Sequence, residues 1–156
     1  MAKEKIKKII IIGSNSFSAG SLIKFLLNKN FKIYGISRSK INKETFLRFN
    51  KKNKNFIFKK FDLNKNQNEI VNFIKKIKPH YIVNYASQSM VGQSWDKAPD
   101  WFYTNSFSIL KLYDSISKLK KKTKLIHVST PEVYGNLKSI TTENQFYKPT
   151  TAYAVS

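Results

Sequence analysis

Short apolar runs alternate with longer amphipathic segments along the whole chain, and this alternation most strongly limits the folds it can adopt. Each run is rich in β-branched or aromatic residues, which strands favour. The runs that we predict to be strands are KIIIIG (8–13), FKIYGIS (31–37), NFIFKKFDL (55–63), YIVNYAS (81–87) and KLIHVS (124–129).

The segments between these runs show the apolar spacing of helices, at residues 21–30, 68–79 and 100–121. Alternating strands and helices predict an α/β fold with a doubly wound parallel sheet and helices on both faces. Nearly continuous apolar strands agree with this, because parallel strands are buried on both sides. We predict one domain over residues 1–156, with a loop or short helix at 38–54.

The formal charge of +20 raises the question of nucleic-acid binding. The basic residues are nearly all lysines scattered along the chain, and Arg38 and Arg48 are its only arginines. Aromatic residues do not alternate with them as a base-stacking surface requires. We therefore interpret the lysines as solvated, expect no nucleic-acid partner, and note that the positive field favours an anionic small ligand.

Cysteine is absent from the sequence, which excludes disulfides and thiolate metal sites, and we expect no metal. The apolar run that follows the charged start is too short for a signal peptide, and no stretch is long enough to span a bilayer. The sequence therefore predicts a cytoplasmic protein without a membrane partner.

The turn after the first strand has the small residues that a dinucleotide site needs. Gly13, Ser16 and Ala19 stand in the pattern G-x-x-S-x-x-A, where the backbone turns, approaches pyrophosphate and packs helix on strand. The helix that follows would point its N-terminal amides at the phosphates. Only one position is glycine, so a plain strand-to-helix turn is the alternative interpretation.

The end of the second strand carries Ser37 and Arg38 in place of an acidic residue. A carboxylate at this point binds the ribose hydroxyls of NAD, whereas arginine pairs with the 2′-phosphate of NADP. The pattern therefore favours NADP, and the alternative is that Arg38 is one more surface cation.

The third and fourth strands also end in residues that suit a nucleotide. Asp62 can accept a hydrogen bond from the adenine amino group while Leu63 packs on the ring, although Asp62 would equally suit a helix N-cap. Ala86 and Ser87 are small and leave room for a flat cofactor.

Several motifs together resemble the N-terminal, cofactor-binding part of the extended short-chain dehydrogenases/reductases, and more narrowly the nucleotide-sugar 4,6-dehydratases and epimerases. Beside the turn at 13–19 they are FDL (61–63), NYASQS (84–89), TN (104–105), STPEVYG (129–135) and PTTAYAVS (149–156). The resemblance implies a Rossmann-like fold that binds NAD(P) through Gly13, Ser16, Phe17, Ala19, Ser37, Arg38, Asp62, Leu63, Ala86, Ser87 and Tyr153.

The resemblance also implies a longer enzyme. In the family a Tyr-x-x-x-Lys pair performs the redox chemistry, and Tyr153 matches its tyrosine. The lysine would be at position 157, and the substrate-binding part would follow it. We therefore expect this chain to be an N-terminal fragment that lacks most of that part, and the fragment alone to be inactive.

The family mechanism assigns a role to three residues. Tyr153 would take the proton of the sugar 4-hydroxyl as C4 is oxidised, and Thr130 would hydrogen-bond the C4 oxygen. Glu132 would then remove the C5 proton that the 4-ketone acidifies, water would leave from C6, and the hydride would return to C6. The implied substrate is a nucleotide sugar, and the implied assembly is a homodimer that pairs through the helix at 100–121.

Pro131 departs from the family pattern. Dehydratases of thymidine sugars carry an aspartate there and those of guanosine sugars a serine, whereas proline has no proton to give. A water, or Glu132 acting twice, would protonate the leaving hydroxyl. The alternatives are a 4-epimerase or decarboxylase of the same family, or a non-catalytic NADP-binding module. Glu132 argues against simple epimerisation, unless it is only a surface acid.

Overall fold

The structure is a computed structural model that describes residues 6–41, 48–120, 122–136, 140–143 and 146–156. Two predictions fall partly outside the described residues. Residues 42–47 belong to the predicted loop or short helix at 38–54, and position 121 belongs to the predicted helix at 100–121.

Within the described residues, five parallel strands form one sheet. They are β1 (Lys7–Ile12), β2 (Phe31–Ser37), β3 (Phe56–Lys60), β4 (Tyr81–Asn84) and β5 (Lys124–His127). The order in the sheet is β3-β2-β1-β4-β5, so β1 pairs with β2 on one side and with β4 on the other. Because the order reverses at β1, right-handed crossovers put the connecting helices on opposite faces. The doubly wound, Rossmann-like α/β fold is thus confirmed.

Each of the three predicted segments contains helix, and short helices also lie at 91–96, 131–134 and 152–155, where none was predicted. The helices are α1 (Phe17–Leu27), α2 (Gln67–Ile77), α3 (Val91–Asp96), α4 (Ala98–Trp101), α5 (Ile109–Ser117) and α6 (Ala152–Val155), with a 3₁₀ helix at Pro131–Tyr134. In α1, Ala19, Ile23 and Leu26 lie on one face and are buried, as their helical spacing requires. Helix α2 ends at Lys78, which adopts the left-handed conformation common at helix C-termini.

The core of the sheet is built on β1. Its four consecutive isoleucines, residues 9–12, are at most 4% exposed. A strand between two neighbours and two helical layers buries both of its faces, which explains an apolar run without alternation. The cluster around Ile9 and Ile11 includes Ile23 of α1, Ile33 of β2 and Val83 of β4. This core holds the carboxyl ends of β1, β2 and β4 in fixed register.

The prediction of one regular helix over residues 100–121 is wrong. The helical stretch contains a π-helical segment, Phe102–Ser108, between α4 and α5. Thr104 and Ser108 are buried in this segment, whereas Tyr103 and Phe107 are exposed. Small polar residues on the buried side give no apolar signal, so the periodicity could not reveal the irregular turn.

The prediction that the strands are buried on both sides is wrong for the two edge strands: three of the five residues of β3 are exposed, and β5 is more exposed still. All four of its residues are exposed, and Ile126 retains 49% of its accessible surface. Within the described part of the chain β5 pairs only with β4, so it forms an edge of the sheet.

The chain divides into two compact units. The first unit is Met1–Ala86 with Lys111–Val128, and it contains the five strands with α1 and α2. The second unit is Ser87–Leu110 with Ser129–Ser156, and it contains α3, α4, the 3₁₀ helix and α6.

Candidate cofactor and catalytic sites

Gly13 forms a tight turn at the carboxyl end of β1. Its φ angle is +78°, and a Cβ atom would lie 2.6 Å from the Ala86 nitrogen and 2.7 Å from the Tyr85 carbonyl carbon. Both the left-handed conformation and the backbone contact require glycine. The Gly13 and Ser14 N–H groups donate to the Ile36 carbonyl at 2.8 and 3.1 Å, which fastens the turn to the end of β2.

The beginning of α1 suits an anion. Ser16 is the N-cap, and its hydroxyl accepts a hydrogen bond from the Ala19 N–H at 3.3 Å. The first turn contains no acidic residue. Ala19 is fully buried, so a methyl group fits where the family pattern has its helix-packing glycine. The turn, the helix terminus and this packing together fit the pyrophosphate of a dinucleotide.

Phe17 is the first residue of α1 and is 74% exposed. The Arg48 guanidinium lies over its ring, 4.3 Å from the centroid, in a cation–π contact. The second arginine of the chain is therefore held beside the N-terminus of α1. Sequence reasoning placed Phe17 at the cofactor but gave Arg48 no function.

Ser37 lies at the end of β2, where it is buried. Its Oγ accepts a hydrogen bond from the Asn15 backbone N–H at 3.0 Å and is 3.5 Å from the Ser14 Oγ. The hydroxyl thus supports the turn that follows β1, and the predicted binding of the cofactor by Ser37 stays a prediction. Arg38 is exposed, so a phosphate could reach it.

Asp62 closes a turn after β3. Its Oδ1 accepts a hydrogen bond from the Asn64 N–H at 2.8 Å, whereas the N-cap of α2 is Asn66. The alternative that Asp62 is the N-cap is therefore wrong. Leu63 is buried beside it. Their predicted contacts with adenine remain a prediction.

A hydrogen-bonded group of three side chains lies at the end of β4. Asn84 is fully buried, and its Oδ1 accepts from the Ala86 N–H at 2.9 Å. Its Nδ2 donates to the Tyr113 hydroxyl at 3.2 Å, and that hydroxyl is 2.7 Å from Nδ1 of His127. Asn84 therefore fixes the backbone that abuts Gly13. Burial raises the pKa of Tyr113 and lowers the pKa of His127.

The second unit contains the predicted catalytic carboxylate. Thr130 caps the 3₁₀ helix, and its Oγ1 accepts from the Glu132 N–H at 3.3 Å. Accepting this bond leaves the Thr130 hydroxyl proton free to donate to a substrate. Pro131 occupies the first helical position, where its missing N–H costs nothing. Glu132 is partly exposed.

Tyr153 lies on α6, which packs against the 3₁₀ helix within the same unit. Its backbone N–H donates to the Ser94 Oγ at 3.1 Å. Asn105 in the π-helical segment accepts from the Gln88 N–H at 2.8 Å and donates to its carbonyl at 3.0 Å. It also donates to the Ser156 Oγ at 3.0 Å. An irregular helical turn therefore holds the segment that carries Tyr153.

The predicted residues fall into two groups. The first unit holds the predicted cofactor residues at the ends of its strands and at the beginning of α1, with Ser87 and Tyr153 in the second unit. The second unit holds Thr130 and Glu132 as well. Sequence reasoning gave no role to Asn15 or Asn84. Asn84 begins the NYASQS motif (84–89) but was not singled out, and the signal of Asn15 was a polar side chain in the turn beyond an apolar strand.

Membrane spans and metal clusters can be assessed for the described residues alone. None of their helices combines the length and the apolar character that a membrane crossing needs. Their His, Asp and Glu side chains form no group of three that could hold a metal ion.

Comparison with known proteins identifies the family. A glycine turn at the carboxyl end of the first strand of a doubly wound parallel sheet is the arrangement in which α/β proteins bind dinucleotides. The family model for GDP-mannose 4,6 dehydratase matches residues 10–156. The chain therefore belongs to the GDP-mannose 4,6-dehydratase family.

Curated relatives agree with this family. The chain is 28% identical to a dTDP-glucose 4,6-dehydratase of Haemophilus influenzae, over 95% of the chain and 47% of the relative. It is also 28% identical to a GDP-mannose 4,6-dehydratase of Yersinia enterocolitica, over 97% of the chain and 43% of the relative. The chain thus spans less than half the length of these relatives.

Solved structures share the fold. A UDP-glucose 4-epimerase of Thermus thermophilus, in complex with NAD, superimposes with a TM-score of 0.80 at 18% identity. The match covers 95% of this chain and 46% of the epimerase chain. At this identity the likeness concerns the fold alone.

Proposed function

We propose that this chain supplies the cofactor-binding half of an NAD(P)-dependent nucleotide-sugar 4,6-dehydratase. The observation that carries the proposal is a carboxylate, Glu132, on a short helix capped by Thr130. That helix packs against α6, which bears Tyr153. Membership of the dehydratase family and the 4,6-dehydratase relatives support this reaction over others of the same fold.

The cofactor would bind at the ends of β1 and β2. The Gly13 turn would receive the pyrophosphate, and the amides at the beginning of α1 would face its charge. Arg38 favours NADP through the 2′-phosphate, while the Thermus epimerase of the same fold holds NAD. When bound, the cofactor accepts hydride from C4 and returns it to C6.

Tyr153 and Thr130 would act on the C4 oxygen of the sugar. Tyr153 would take the hydroxyl proton as C4 becomes a ketone. The Thr130 hydroxyl already accepts a hydrogen bond from the Glu132 N–H, and its own proton would be donated to the same C4 oxygen.

Glu132 would act as the base at C5. The 4-ketone acidifies the C5–H bond, and the carboxylate removes that proton. Pro131 has no proton to give to the departing C6 hydroxyl. Glu132 would therefore pass on the proton it has just taken, so that the C5 proton leaves in the water that is eliminated. A proton from solvent would replace it at C5 as hydride is added to C6.

The test is mass spectrometry on the full-length protein incubated with NAD(P) and with dTDP-glucose or GDP-mannose. We expect a product lighter by one water with one of the two sugars. Glu132→Gln should slow this reaction about 10²- to 10⁴-fold, the usual contribution of a general base. Glu143→Gln, at an exposed glutamate of the same unit, should leave the rate unchanged. Full dehydration by Glu132→Gln would disprove the assigned base.

A further inference from the structure

We propose that Asn15 is a positioning residue for cofactor selectivity, which holds the loop after β2 so that Arg38 is presented to the 2′-phosphate of NADP. This inference rests on the proposed cofactor-binding function and deepens it. Asn15 itself need not touch the cofactor.

Asn15 is bound to the loop through both its backbone and its side chain. Its N–H donates to the Ser37 Oγ at 3.0 Å. Its Nδ2 donates to the Lys40 carbonyl at 2.9 Å and to the Ser39 Oγ at 3.1 Å, with the Ser39 carbonyl at 3.5 Å. Both amide protons are therefore directed at the backbone and side chains just beyond β2.

These bonds lie on both sides of Arg38. On the N-terminal side Ser37 is already fixed, because it pairs with Lys60 in the sheet and its carbonyl accepts the Phe61 N–H at 3.0 Å. On the C-terminal side the loop has left the sheet. There the contacts from Asn15 tie Ser39 and Lys40 back to the turn.

We call the hydrogen bonds from Asn15 to Ser37, Ser39 and Lys40 the clamp. The turn that carries Asn15 is itself held firmly in place. The Gly13 and Ser14 N–H groups both donate to the Ile36 carbonyl, so the turn is docked on the end of β2. Gly35 adds to this docking, because a Cβ atom there would lie 2.8 Å from the Ser14 Oγ. The position of Asn15 is thus set by the core of the sheet.

The clamp should matter for one cofactor more than for the other. Ordering a loop and a long arginine side chain on a ligand costs conformational entropy, and a loop held in advance reduces that cost. The lower entropy cost would strengthen the binding of NADP, whose 2′-phosphate contacts Arg38. It would not strengthen the binding of NAD, which has no such group. A turn-forming asparagine without this role would affect both cofactors alike.

The experiment is isothermal titration calorimetry of the purified full-length protein with NADP and with NAD. We expect Asn15→Ala to weaken the affinity for NADP about tenfold, as the loss of one net hydrogen bond would do. The affinity for NAD should fall less than about twofold. Arg38→Gln should weaken NADP selectively, and Asn15→Ala should add nothing to it in the double variant. Asn72→Ala, at an exposed asparagine of α2, is the matched control and should change neither affinity.

The outcomes separate this inference from the proposed function. If Asn15→Ala weakens the binding of both cofactors equally, or of neither, the positioning role is overturned. The cofactor assignment would still stand in that case if Arg38→Gln weakens NADP binding selectively. Additive effects in the double variant also overturn it, because Asn15 would then not act through Arg38. If the parent protein binds neither cofactor, the proposed function fails and this inference fails with it. Ser39→Ala, which leaves the turn intact, should reproduce a smaller NADP-selective loss; an unselective loss would contradict the clamp.

Discussion

Replacing Gly13 with alanine tests the geometry of the cofactor turn. The glycine has a φ of +78°, and the added methyl group would meet three backbone atoms of residues 85 and 86 at 2.6 to 2.9 Å. None of these atoms belongs to a flexible side chain. The backbone after β4 cannot yield easily, because Asn84 accepts the Ala86 N–H and the Tyr85 N–H donates to the Ile12 carbonyl.

The expected loss of stability has two parts. The left-handed conformation costs alanine about 1–2 kcal/mol. Separating the two backbone segments costs about 1–3 kcal/mol, the usual range for an overpacked interior. We therefore expect the free energy of unfolding to fall by about 2–5 kcal/mol, which places Gly13→Ala among the severe single substitutions.

Urea denaturation followed by circular dichroism measures this change, and Gly92→Ala is its matched control. Gly92 lies in α3, and no heavy atom comes within 4 Å of the position that an added methyl group would take. Alanine should therefore stabilise that helix by up to about 1 kcal/mol. A loss of stability in Gly13→Ala together with a gain in Gly92→Ala would support the assigned turn, because both variants add the same methyl group. A Gly13→Ala variant within about 0.5 kcal/mol of the parent would refute the reasoning.

Three further predictions concern polar and glycine contacts. Burial lowers the pKa of His127 below its ordinary value of 6.5, so its contribution to stability is complete above that pH and is lost as the pH falls below it. In the His127→Gln variant the denaturation midpoint should therefore depend less on pH below 6.5 than it does in the parent protein. Gly135→Ala would place a methyl group 2.0 Å from the Lys148 carbonyl oxygen at a φ of +71°, and the Lys148 amide should lose hydrogen-exchange protection. Asn105→Ala should cost about 1–3 kcal/mol in thermal unfolding, because the Gln88 N–H and carbonyl lose their partner.

The sheet could be predicted from sequence because its strands are apolar runs that end at glycine or polar residues. β1 and β2 match their predicted segments closely, since central strands leave no polar positions to confuse the pattern. β3 is shorter than predicted, ending at Lys60 rather than at residue 63. The turn that Asp62 closes draws the chain out of the sheet there.

The candidate site was less predictable. The small residues of the Gly13 turn are visible because their size is itself the signal. Asn15 and Asn84 act through hydrogen bonds to backbone groups, and an asparagine at a strand end has many possible uses. The π-helical segment around Asn105 was invisible because its buried residues are small and polar.

The fate of the C4 hydrogen tests the dehydratase assignment most directly. The full-length protein would be given NAD(P) and a nucleotide hexose deuterated at C4, and the product analysed by mass spectrometry and NMR. We predict a 4-keto-6-deoxy product, lighter by one water, with the deuterium at C6. A product of unchanged mass with the deuterium still at C4 would show epimerisation and contradict the dehydratase assignment.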